Sequence, residues 1–275
     1  MNEKEEIYSF SKISAFEQCP YQYFLRYVLK EEQTASIFTL AGTSTHNAIE
    51  DIQERKLTTE EALSKWKDEM ELHKILGFEF ISEKSEKNFK ECVEHYIENF
   101  KPLNGDVEVE KKFNLNVGEH KIKGFIDLLV KDGNHIKIYD LKTSTIYKPK
   151  DIEHYKHQLV LYALGMEEQG YTVDEVGWVF MKYATIQGKK KEKHILRNEL
   201  VNDEYKDCII TYPLSDETKQ DTIEWATSLI KEIESNDLFG EWEQKKDSFY
   251  CSKLCGFKDS CNCALELRDR YFKGR

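Results

Sequence analysis

Two neighbouring apolar segments constrain this chain more than anything else in it, because each keeps acids where a core strand ordinarily has none. They are Gly124-Phe125-Ile126-Asp127-Leu128-Leu129-Val130 and Ile136-Lys137-Ile138-Tyr139-Asp140-Leu141-Lys142. A buried, unpaired carboxylate costs several kcal/mol or more, so Asp127 and Asp140 need compensation. Asp132-Gly133 between the segments predicts a tight hairpin. With that pair as the loop, Lys131 opposes Asn134, Asp127 opposes Ile138, and alternation carries Asp140 and Lys142 onto the face of Asp127. Two carboxylates then converge with an ammonium beside them. Hard carboxylate oxygens suit Mg²⁺ or Mn²⁺, which polarises a phosphodiester and acidifies a bound water that a lysine can orient. The plainer alternative is a salt-bridged strand pair.

The hydrophobic period changes along the chain around this centre. Ser11 to Lys30 reads as two short helical pieces broken at Cys19-Pro20. Gly42 to Arg55 reads as a helix starting near Thr43, and the Leu63-Trp66-Met70 and Phe89-Val93-Tyr96-Ile97-Phe100 stripes predict helices over 60–75 and 84–100. From Val107 the period becomes that of strands: 107–110, 113–117, 121–130 and 135–141, then a helix over 151–170 and strands over 173–183 and 192–196. Asp216 to Ser235 is a last long helix. The order predicts a mixed α/β core, not a regular doubly wound one. One domain over 1–275 is expected, with 58–101 as a helical layer and 105–200 as sheet and site helix.

Charge enters when partners are considered. The formal charge is −11 over 275 residues, which opposes phosphate binding at first sight. Its distribution weakens that objection, since residues 245–275 carry eight Lys/Arg against four Asp/Glu. No apolar run is long enough for a membrane span, and the acidic start Met1 to Glu6 is unlike a signal peptide, so cytoplasmic residence is the expectation.

In the cytoplasm, clustered cysteines point to a metal more than to disulfides. Cys251, Cys255, Cys261 and Cys263 fall within thirteen residues. Four thiolates suit Zn²⁺ or an iron-sulfur cluster, and spacing does not separate the two. Cys92 and Cys208 read as ordinary buried thiols.

Asp127 followed by Asp140-Leu141-Lys142 resembles the catalytic signature of the PD-(D/E)xK nuclease superfamily, specifically its RecB-like, CRISPR-associated-exonuclease-like branch. In order along the chain, Phe16-Glu17-Gln18-Cys19-Pro20 is similar to the N-terminal segment of iron-sulfur members, Gly42-Thr43-Ser44-Thr45-His46 to the Gly-x-x-x-His motif, and Gln158-Leu159-Val160-Leu161-Tyr162 to the Gln-x-x-x-Tyr motif. The resemblance implies a restriction-endonuclease-like mixed sheet flanked by helices, and a Mg²⁺- or Mn²⁺-dependent DNA exonuclease acting on single strands or duplex ends. It implies Asp127, Asp140, His46 and the Leu141 carbonyl as metal ligands, Lys142 as the residue that positions water, and Gln158 and Tyr162 as ordering or DNA-contacting groups. Glu110 would be a further acid of the site, with Glu108 competing for that place. The same resemblance implies a [4Fe–4S] cluster held by Cys19, Cys251, Cys255 and Cys261, with Cys263 as a spare ligand and residues 1–30 and 245–275 as cluster-binding ends. A zinc knuckle of the four tail thiols remains the local alternative.

Lys189, Lys190 and Lys191, in the basic turn after Gln187, are candidate phosphate contacts. Recombination, repair, phage or CRISPR-type processing is the implied setting, with partner proteins from such systems. A non-catalytic DNA-binding subunit of the same fold and a zinc-knuckle interaction protein are the competing classes.

Overall fold

The computed structural model describes residues 6–188, 191–201, 204–236, 241–247 and 249–262. In chain order these form β1 (Ile7–Tyr8), α1 (Phe10–Gln18), α2 (Pro20–Tyr23) with a π-helical turn at Phe24–Val28, α3 (Ile37–Gln53), α4 (Thr59–Ile75) and α5 (Glu83–Asn99). There follow β2 (Asp106–Val117), β3 (His120–Asp132), β4 (His135–Lys142), α6 (Pro149–Glu168), β5 (Thr172–Ile186), β6 (Lys193–Leu196), β7 (Lys206–Tyr212) and α7 (Asp216–Ser235). No helix among the described residues is long and apolar enough to cross a membrane. The residues divide into two compact units, one drawn from Met1–Ser36, Asn116–Lys123 and Gln220–Arg275, the other from Ile37–Leu115 and Gly124–Lys219.

The larger unit is a mixed sheet flanked by helices. β3 and β4 are antiparallel, β4 and β5 parallel, β6 and β7 both antiparallel to β5, and β2 pairs with β3. Helices α4 and α5 start on side-chain caps, since Thr58 accepts from the Glu61 amide while Glu61 caps Thr58 in return, and Ser82 accepts from the Ser85 amide. Their apolar stripes are buried as the spacing requires: Trp66, Met70, Phe89, Val93 and Ile97 share one core with Ile49 and Ile52 of α3 and with Leu128, Leu141 and Met181 of the sheet. Burying each such side chain contributes roughly 1.5–3 kcal/mol, which holds α3 against the strands that carry the acids.

Several expectations need correction. The third helix begins at Ile37, six residues before Thr43, because Ile37 and Ala41 extend the buried face of Ala48, Ile49 and Ile52. The segments 107–110 and 113–117 are one strand, β2, with a local irregularity at Glu110, whose φ is 47°. β1 and β7 were not expected. The hairpin loop is Gly133-Asn134, so Asp132 pairs with His135 and Leu129 with Ile138. Gly133, at φ 60°, takes the left-handed first loop position that glycine alone fills without strain. The register thus differs by two residues from the expected one, and an even shift leaves every side chain on its expected face.

The smaller unit gathers both ends of the chain. β1 runs parallel to the start of β3, pairing Ile7 with Lys121 and Tyr8 with Ile122. Ser9 caps α1, and Pro20 opens α2 after an extended Cys19. Trp242 stacks on Phe24 at 5.1 Å and Tyr23 at 5.9 Å, and the Tyr21 amide donates to the Glu243 carbonyl at 3.0 Å. A second apolar cluster joins Leu25 to Cys255 and Phe257.

Candidate active site

Within the larger unit, α3, β2, β3, β4 and α6 converge on one set of polar side chains. Asp127 and Asp140 are 9% and 1% exposed. The Leu141 amide donates to Asp127 Oδ2 at 2.6 Å, and His46 Nδ1 lies 3.7 Å from the same oxygen. Lys142 Nζ sits 2.6 Å from Asp140 Oδ2 and donates to Gln158 Oε1 at 3.2 Å. Gln158 Nε2 in turn donates to the Tyr162 hydroxyl at 2.7 Å. Gln158 and Tyr162, four apart, share a face of α6, and Tyr162 packs edge-on against Phe113 of β2. Phe113 approaches so closely because Gly124 and Gly165 have no side chains: a Cβ on Gly124 would lie 2.6 Å from the ring.

Electrostatics follow from this crowding. Burial and the neighbouring Asp140 raise the Asp127 carboxyl well above the usual range, against the pull of Lys142. Burial opposes the Lys142 charge, but Asp140 outweighs it and holds the ammonium firmly protonated. His46 is pushed down by burial to about 4, against Asp140, which leaves a neutral imidazole. Tyr162 is raised by burial and by the charges of Asp140 and Asp127.

Glu110 and Glu108 separate clearly. Glu108 is ion-paired with Lys131, and with Lys111 at 2.7 Å. Glu110 lies within electrostatic reach of Asp127 and is hydrogen-bonded to Glu50. Sequence reasoning missed Glu50, which burial and Glu110 raise to about 7. The available signal was its position four residues after His46 on the same helix.

The family model for the PD-(D/E)XK nuclease superfamily matches residues 7–262. The chain belongs to this superfamily. Among solved structures the nuclease is similar to SSO0001, at 16% identity and TM-score 0.40 over 96% of this chain and 90% of that one. It is also similar to a protein of Eubacterium rectale described as a candidate exonuclease, at 12% identity and TM-score 0.48 over 95% and 88%. No curated protein sequence matches it.

The donors of the PD-(D/E)XK site fit a hard divalent cation: two buried carboxylates, a neutral imidazole and a backbone carbonyl between Asp140 and Lys142. Apart from its ion pair, Asp140 Oδ2 is buried with no hydrogen-bond partner among the described residues. Among those residues no three His, Cys, Asp or Glu side chains already stand as a metal-binding set. Lys142 holds the Asp140 oxygen that a cation would also use.

Four cysteines of the nuclease meet in the smaller unit. Cys19, Cys251, Cys255 and Cys261 line one cavity of about 100 Å³, together with Gln22, Tyr250 and Phe257. Burial raises the Cys255 thiol to about 11 and also lifts Cys251, and the neighbouring thiols add to both. Cys263, Lys189 and Lys190 lie outside the described residues, and Lys191 is exposed. Cys92 and Cys208 are buried, Cys92 donating to Asn198 Oδ1 at 3.4 Å.

Proposed function

We propose that this PD-(D/E)XK nuclease is a Mg²⁺- or Mn²⁺-dependent deoxyribonuclease, acting as an exonuclease on single strands or duplex ends. The observation that carries the reading is Lys142 Nζ held between Asp140 Oδ2 and Gln158 Oε1 beside the buried Asp127. Asp127, Asp140, His46 and the Leu141 carbonyl would hold the ion, and Glu110 with Glu50 supplies acid beside them. When bound, the ion polarises the scissile phosphate and acidifies a water. Lys142 stays charged and orients that water or offsets the charge that develops on the phosphate. Gln158 fixes the lysine and Tyr162 fixes Gln158, so the ammonium keeps one direction. On end-labelled DNA in Mg²⁺ or Mn²⁺, Lys142→Ala is expected to lower cleavage by about 10²–10⁴-fold. Equal cleavage by the variant and the parent would reject the assignment and favour a non-catalytic DNA-binding subunit. Products released as mononucleotides or short oligomers from an end support the exonuclease mode, and internal cuts in circular DNA oppose it. DNA recombination, repair, phage or CRISPR-type processing is the setting we propose.

We further propose that the cysteine cavity houses a [4Fe–4S] cluster. A single Zn²⁺ draws four sulfurs to about 2.3 Å, whereas a four-iron cube needs space between its thiolates. Thiols spread around a cavity and including Cys19 favour the cube over a zinc knuckle of tail residues alone.

A further inference from the structure

Beside Lys142, the segment leaving β4 and the first turns of α6 bring together rings that none of these roles uses. Tyr147 lies face to face with Tyr155, with centroids 4.4 Å apart and planes 14° from parallel. Tyr155 meets His154 at 4.7 Å. Tyr147 also meets Trp178 at 5.4 Å and Phe180 at 5.1 Å with the ring planes nearly perpendicular, both partners being fully buried in β5. Tyr147 is therefore braced by the sheet; Tyr147, His154 and Tyr155 are each half-buried, and Lys148 and Lys150 are exposed on the same short stretch. Tyr155 precedes Gln158 by three residues and Tyr162 by seven, so it continues the α6 face that holds Lys142. Lys142 acts electrostatically on both Tyr155 and Tyr147.

A rigid ring, exposed cations and a phosphodiester-cleaving lysine in one place match the way single strands are held: bases stack on aromatic rings while lysines follow the backbone. In a duplex the base faces are already stacked on one another. Resting on the nuclease reading above, we propose that Tyr155, braced by Tyr147, stacks against a base of an unpaired DNA strand entering the site, with Lys148 and Lys150 meeting its flanking phosphates.

The test is steady-state cleavage by the full chain of a short DNA single strand, intact or with one abasic position scanned past the scissile phosphate. Tyr155→Ala is expected to raise KM roughly 5- to 150-fold, the range for loss of one stacked base, with a much smaller effect on kcat. Tyr155→Phe restores the parental KM. One abasic position raises the KM of the parent and adds nothing in Tyr155→Ala. Tyr155→Leu fills the space without a stacking face, so it covers the case in which the alanine variant misfolds. Parental KM in Tyr155→Leu, or abasic and Tyr155 effects that simply multiply, would overturn the proposal while leaving the nuclease reading intact. Absence of cleavage by the parent would instead overturn the nuclease reading and this inference with it. Lys148→Ala combined with Lys150→Ala is expected to flatten the slope of log KM against log salt by roughly 1.4, and an unchanged slope removes the phosphate contacts from the proposal.

Discussion

At the residue scale, the acids and the histidine around Asp127 respond to pH in opposite senses. Glu50 is raised from its ordinary 4.5 to about 7, by burial first and then by Glu110. The folded state therefore binds its proton more tightly than the unfolded chain does. That contribution to stability is complete below about pH 4.5 and is lost as pH rises through about 7. His46 runs the other way: held near 4 by burial, it makes the fold lose stability as pH falls from 6.5 towards 4. Thermal melts without divalent cations separate the two, because Glu50→Gln removes only the first. Glu50→Gln is expected to melt higher than the parent at pH 8 and level with it near pH 4.5; an equal offset at both would discard the account. Asp127, Asp140 and Lys142 were legible in the sequence because charge in apolar strands demands a reason. Glu50 was not, since an acid among Glu54, Asp51 and other helix charges looks solvated until β2 is seen to bring Glu110 against it.

At the scale of elements, Phe113 of β2 links the position of α6 to the strands that carry the acids. The ring fills the space left by Gly124 on β3 and Gly165 on α6, and its contact with Tyr162 supports the residue that orders Gln158. A Cβ at Gly165 would overlap the ring, which is 1% exposed and has nowhere to retreat. Gly165→Ala is expected to cost about 1–3 kcal/mol in urea unfolding and to lower kcat, as Tyr162 and Gln158 shift away from Lys142. Unchanged stability would show that the helix slides freely over β2. Elements with strong stripes, α4, α5 and α7, could be read within a residue or two. β7 could not, because Lys206 to Tyr212 buries only Cys208 fully, and half-exposed strands carry little apolar signal. The hairpin loop was misread by one residue because Asp-Gly and Gly-Asn both satisfy two-residue loops.

At the scale of the whole molecule, the ends of the chain form a unit of their own around the four thiols. Cys19→Ser is expected to remove most iron and acid-labile sulfide from anaerobically purified protein and to lower its melting temperature. Zinc content that is unaffected by the substitution would reject the cluster and restore the tail knuckle. Cys251, Cys255 and Cys261 were legible as a group from their spacing and Cys19 only through the family resemblance, and their cavity with Gln22, Tyr250 and Phe257 depends on contacts between distant segments that no local pattern records. One such contact, Cys19 Sγ with the Glu243 carbonyl, spans 224 positions. The thiol cavity therefore cannot close on the ribosome until Cys261 has emerged, whereas the larger unit, which carries the acids and Lys142, is fully translated at Lys219. Maturation then has a built-in order, with the unit that carries the candidate site able to form first and the cysteine-lined unit sealed last.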